Sequence, residues 1–213
     1  MRGFIVFAAL FAVLVGTARA DQASDLRDKL MAAEEKASSM VMQISAPSLG
    51  MTGVGTIVRL PAMAMHMSMA TGSTKIEIYM IGQTMYEQLG GSWIRIQMPD
   101  MKQLEAMGRT ITDKMHVSLA PDVVDGGVTY GAITFESDTA TIPGAPVVGP
   151  TTQTCTYDKS TFFIHTCTNG PISETMSHYN DSANVVTLPP DAASAPALAP
   201  PVLPSPAPSP AAT

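Results

Sequence analysis

Between Met40 and Met98 apolar and polar residues alternate with few interruptions, and the central run PAMAMHMSMA sets Met63, Met65, Met67 and Met69 two residues apart. A period of two fits extended chain, in which successive side chains point to opposite faces, so all four methionines share one face of a β-strand. Ala64, His66 and Ser68 take the other face. Methionine has three rotatable bonds and a polarisable sulfur, so such a face adapts to irregular apolar partners and enforces no single packing. The stripe points to a surface that receives something variable, such as acyl chains.

Turn signals at Pro61-Ala62, Thr71-Gly72, Gly82-Gln83 and Gly90-Gly91 divide the alternating run into an antiparallel meander. Residues directly opposite each other in paired strands point to the same face, so each turn can be checked against the next. A turn at Thr71-Gly72 sets Met67 opposite Ile76, Met65 opposite Ile78 and Met63 opposite Met80. The turn at Gly82-Gln83 sets Met80 opposite Met85 and Ile76 opposite Leu89. The turn at Gly90-Gly91 adds Ile94 and Ile96, with Met98 following. One face is then methionine and isoleucine, while the other carries Lys75, Glu77, Tyr79, Tyr86, Gln88, Trp93, Arg95 and Gln97. Glu87 is the one ionisable residue that this pairing puts on the apolar face, opposite Ile78 and Ile94. A strand bulge, a wet rim or a polar ligand group would each account for it.

A long two-faced sheet must cover its apolar side, and helices are the natural cover. Asp25 to Met40 lacks glycine and proline, and Leu26, Leu30, Ala33 and Ala37 recur at helical spacing behind Ser24 as a cap. Asp100 can cap a second helix carrying Leu104, Met107, Ile111 and Met115 before Pro121 closes the segment. After Asp125-Gly126-Gly127, strands are predicted at Val128 to Phe135, Thr152 to Tyr157, Phe162 to Cys167, Ile172 to Tyr179 and Val185 to Leu188. Pro143 to Pro150 reads as a surface excursion.

The ends of the chain bound its class. Arg2, an apolar stretch from Phe4 to Val15 and the small residues of Ala18-Arg19-Ala20 read as a signal peptide over residues 1–20, cleaved after Ala20. The expected location is periplasmic or extracellular, with no transmembrane segment. Transient membrane contact is compatible with this. Without Arg2 and Arg19, 10 of the 12 basic residues remain against 18 acidic ones, a net charge of −8, which argues against nucleic acid as a partner. Residues 189–213 are almost entirely proline, alanine and serine and are predicted to form a disordered tail. Residues 21–188 are left as one domain.

Helix, meander, covering helix and closing strands, together with three local strings, resemble the LolA-like superfamily. Its members include the bacterial outer-membrane lipoprotein carrier and mycobacterial lipid-binding envelope lipoproteins. The strings are IEIYMIGQTMYEQLGGSWIRIQMP at 76–99, GVTYGAITF at 127–135, and CTYDKSTFFIHTCTNG followed by MSHYNDSANVVTLP near the domain's end. The resemblance implies an α+β fold, a curved antiparallel β half-barrel or incomplete barrel closed by helices, with acyl chains on its concave face. The implied partner is a lipid or a lipoprotein acyl chain, bound by Met63, Met65, Met67, Met69, Ile76, Ile78, Met80, Met85, Glu87, Leu89, Ile94, Ile96 and Met98. The carrier's cavity arginine has no counterpart, with Arg59 and Arg95 assigned to the outward parity.

Two cysteines in an exported chain read as a disulfide, Cys155 with Cys167, across a hairpin around Asp158 to Thr161. Copper is the rival explanation for the methionines, since thioethers select Cu(I) and His66 lies within the motif. Geometry favours the lining, because His66 faces away and alternate residues stand about 6.6 Å apart. An envelope interaction module without ligand is a third reading. No Gly-x-Ser-x-Gly, His-Glu-x-x-His or glycine-rich phosphate loop is present, so a non-catalytic protein without cofactor or bound metal is expected.

Overall fold

A computed structural model of the chain describes residues 22–59, 62–98, 115–137 and 151–198. The N-terminal helix α1 spans Gln22–Lys36. Six strands follow, β1 (Ser39–Ala46), β2 (Met51–Val58), β3 (Ala64–Thr71), β4 (Thr74–Ile81), β5 (Thr84–Leu89) and β6 (Ser92–Gln97). The second half supplies β7 (His116–Asp125), β8 (Val128–Ser137), β9 (Thr151–Tyr157), β10 (Ile164–Asn169) and β11 (Ile172–Ser177), then the short helix α2 (Pro190–Ala193) and β12 (Ala197–Leu198).

All twelve strands form one open sheet in the order β12-β6-β5-β4-β3-β2-β1-β11-β10-β9-β8-β7. The β1–β11 pairing joins the two meanders into a mostly antiparallel half-barrel architecture. Among the described strands, only β12 runs parallel to its neighbour. The helix predicted over Asp100 to Met115, the excursion at Pro143 to Pro150, the leader 1–20 and residues 199–213 lie outside the described residues, Met115 apart.

The inner face divides into two apolar clusters. Ala23, Leu26 and Leu30 of α1 pack onto Met40, Ile57, Val117, Ile133, Cys155, Cys167 and Met176. Met42, Ile44, Met67, Met69 and Ile78 form the other, flanked by half-buried Met51, Met65, Ile76, Met85 and Ile172.

Several predicted boundaries differ from the observed ones. The helix ends at Lys36, and β1 already begins at Ser39. The run from Met40 to Pro61 is broken by a 3-10 turn at Pro47–Leu49, closed by Gly50 in the left-handed region. His116–Asp125, assigned in part to the second helix, is a strand. Pro121 is tolerated there because β7 is the sheet edge and its register shifts between Ala120 and Val123. Val185 to Leu188 forms no strand. Residues 190–198, expected to belong to the disordered tail, carry α2 and β12, Ala192 is fully buried, and Trp93 Nε1 donates to Asp191 Oδ2 at 2.9 Å.

Candidate functional site

The β3–β4 turn is centred on Gly72-Ser73, because its first central residue has φ +58°. Glycine takes that conformation freely and a β-branched threonine does not. The expected register is corrected accordingly: Met69 pairs with Ile76, Met67 with Ile78 and Met65 with Met80. The displacement is two residues, so every side chain keeps its expected face. Met80 pairs with Met85, and Glu87 with Ile78 and Ile94, as expected, and Met85 also pairs with Ile96.

Met65, Met67, Met69, Ile76, Ile78, Met80, Met85, Glu87, Ile94 and Ile96 therefore share the inner face. Met67, Met69 and Ile78 are buried, and the others are half-buried. Met63 and Met98 sit just outside β3 and β6, both half-buried, and their backbones close the ladder through Gly82 N to Met63 O and Met98 N to Gln83 O. The ladder brings Leu89 opposite Ser92, but the Leu89 side chain lies outside the described residues. Pairing between β4 and β5 stops at Glu77 and Gln88, short of the expected Ile76–Leu89 pair.

Two glycines lower the floor of this face. Gly55 opposes Met67 and Gly53 opposes Met69. A Cβ at Gly53 would stand 3.0 Å from Met69 Cγ, so the methionines lie over bare backbone. Met65, Met80 and Met85 stand side by side on three adjacent strands, an arrangement that the spacing within one strand does not reveal.

Carboxyls give the face its chemistry. The β4–β5–β6 register runs without a shift, which removes the bulge as an explanation for Glu87. Arg95 pairs with Tyr86 on the opposite face. Burial raises the Glu87 carboxyl above its ordinary range. Glu174 is a second such group, 7% exposed, and burial alone raises it. Sequence reasoning missed it, although Ile172, Glu174 and Met176 alternate in a predicted strand, and that alternation was the available signal.

The seam between α1 and the sheet is polar. Ile164 N donates to Glu34 Oε1 at 3.1 Å, and the Tyr179 hydroxyl lies 2.7 Å from the same oxygen and 2.8 Å from Ile164 O. Burial raises Glu34, against the lowering by these hydrogen bonds and by Arg59. Arg59 donates to the Glu34 backbone carbonyl, and its second terminal nitrogen is 3.8 Å from Glu34 Oε2. Its outward assignment is corrected: it continues the inward parity of Ile57 past the end of β2 and anchors the helix.

His66 lies on the outer face, opposite Tyr79 and Thr56. Its Nε2 is 2.7 Å from Glu77 Oε2, and its ring stacks on Tyr79 at 4.3 Å. Burial opposes ionisation of Glu77, but hydrogen bonds from Lys75, His66 and Ser68 hold it below its ordinary range. A separate shallow depression between α1 and the β9–β10 loop is lined by Lys29, Ala32, Ala33, Lys36 and residues 161–163, with no predicted site residue among them. Cys155 and Cys167 are register partners, buried, and joined as a disulfide.

No protein-family model matches the chain, and no curated protein sequence is similar to it. Solved structures are similar. The Mycobacterium tuberculosis lipoprotein LppX superposes with a TM-score of 0.56 at 14% identity, over 76% of this chain and 97% of LppX. LprF from Mycobacterium bovis gives 0.52 at 13%, over 83% of this chain and all of LprF. At this identity the likeness is one of fold, and the fold is the LolA-like one that the strand and turn strings resemble.

Proposed function

We propose that the chain is a non-catalytic exported carrier that holds lipid or lipoprotein acyl chains against the inner face of β1–β6. The observation that carries this is the half-buried apolar area on β3–β6, where Met65, Ile76, Met80, Met85, Ile94 and Ile96 lie outside the cluster packed under α1, apart from Met65 at its border. Face and fold together support the acyl-chain reading, because a soft, incompletely covered apolar surface of this size gains by burying an apolar ligand. The leader-like residues 1–20 and the disulfide support an oxidising location outside the cytoplasm. Native mass spectrometry of protein purified from its own host tests the reading. A co-purifying lipid mass is expected, and its absence from every preparation would refute it.

Cu(I) binding is the second reading, favoured by the row Met65, Met80 and Met85 across three strands. Three thioethers at neighbouring positions can meet one soft ion, although His66, on the opposite face, cannot join them. A copper adduct that disappears in Met80→Leu/Met85→Leu would support this reading over the first.

A further inference from the structure

We infer that the inner face selects its occupant by charge. It would take amphiphiles whose polar group donates hydrogen bonds and carries no negative charge, a hydroxyl or an amine, in preference to anionic ones, with Glu174 as the principal contact. This rests on the acyl-chain reading above and adds the class of headgroup.

Glu174 occupies an apolar lattice site. Ile44 and Cys167 are its register partners on either side. Ile172 and Met176 precede and follow it on the same face of β11. No described residue pairs with its carboxyl or hydrogen-bonds to it, while every sealed side-chain oxygen among the described residues has a partner. The Glu174 carboxyl therefore opens onto accessible space, although the residue is more than nine-tenths buried. A partnerless carboxyl in apolar surroundings is costly when charged, and a ligand donor is the group that would offset the cost.

Glu87 repeats the arrangement five strand steps away in the order β11-β1-β2-β3-β4-β5, roughly 24 Å along the sheet. Ile78 and Ile94 flank it. Between the two carboxyls lies a floor of Ile44, Met67, Met69 and Ile78, lowered at Gly53 and Gly55. Among the described residues no lysine or arginine stands on the inner face of β1–β6 or β11. Arg59, just past β2, is held by Glu34, and Arg27 by Asp28. Among the described residues an anionic headgroup on this floor would meet acidic groups and no cation, which is discrimination by repulsion.

The test uses the mature full-length chain and the neutral fluorescent probe N-phenyl-1-naphthylamine, displaced at pH 7.5 by dodecylamine, dodecanol or dodecanoate. Amine and alcohol should displace the probe at concentrations roughly tenfold below dodecanoate, a difference of about 1.4 kcal/mol. Glu174→Gln, which keeps the shape and removes the charge, should bring dodecanoate to within about threefold of the amine. Should that variant fail to fold, Glu87→Gln at the half-exposed site should narrow the gap in the same direction. Equal displacement by all three compounds in the parent chain, or an unaltered preference in the folded variants, would overturn the inference and leave the carrier reading intact. Failure of the probe to bind the parent chain would overturn both.

Discussion

Met67 lies across the bare backbone of Gly55, its register partner on β2, so closely that a Cβ there would stand 2.8 Å from the methionine methyl and 3.1 Å from its sulfur. The missing side chain on β2 is the seat of the side chain on β3. Gly55→Val should therefore cost about 1–3 kcal/mol by overpacking. Adding Met67→Ala should recover part of that loss, because the pair shares one volume. Urea denaturation of the two single variants and the double variant checks this, and strict additivity would show that Met67 does not use the seat.

Glu174 makes stability depend on pH in a stated direction. Burial raises its folded pKa above the ordinary value of 4.5, so the folded chain binds more protons than the unfolded chain between the two values. Stability through this group is greatest below 4.5 and falls as pH rises through the folded value. Ile44, Cys167, Ile172 and Met176 face it, none of them a titrating partner. Glu174→Gln should melt above the parent chain at pH 8 and level with it at acid pH. Parallel melting curves across the range would refute the assignment.

The Cys155–Cys167 bridge joins directly opposed residues of β9 and β10 beneath α1. Thiol labelling of unreduced, denatured protein should find no free cysteine. Replacing both by serine should lower stability by about 3 kcal/mol on the loop-entropy estimate, read as a shift in the urea midpoint.

The C-terminal segment should protect the edge of the sheet. Arg95 N donates to Pro196 O at 2.9 Å, and β12 pairs with Arg95 and Ile96. Ending the chain after Leu188 would leave β6 with an unpaired edge, a template for association. That form should aggregate on heating and change the emission of Trp93, the one tryptophan, which loses Asp191. Ending after Leu198 should do neither. Identical behaviour of the two truncations would show that the segment has no protective role.

The sequence by itself determined which residues share a face. Moving a two-residue turn by one position displaces the pairing by two, so the misplaced β3–β4 turn shifted the partners of Met65 and Met67 but left both beside Ile78 and Met80 on one face. Glu87 was legible for the same reason, and the cysteine pair was legible from the count of two in a chain read as exported. Tertiary structure decided what depends on contacts distant in sequence. The β1–β11 pairing sets Glu174 beside Ile44, residues 130 apart in the chain. Arg59 turned toward α1 because Glu34 offers it a carbonyl and a carboxylate. Pro121 stayed within a strand because that strand is an edge with a bulge. Pro190 to Leu198 was ordered because β6 had an open edge to pair. Composition and periodicity report local preference and facing, whereas docking partners come from which surfaces the folded sheet leaves uncovered.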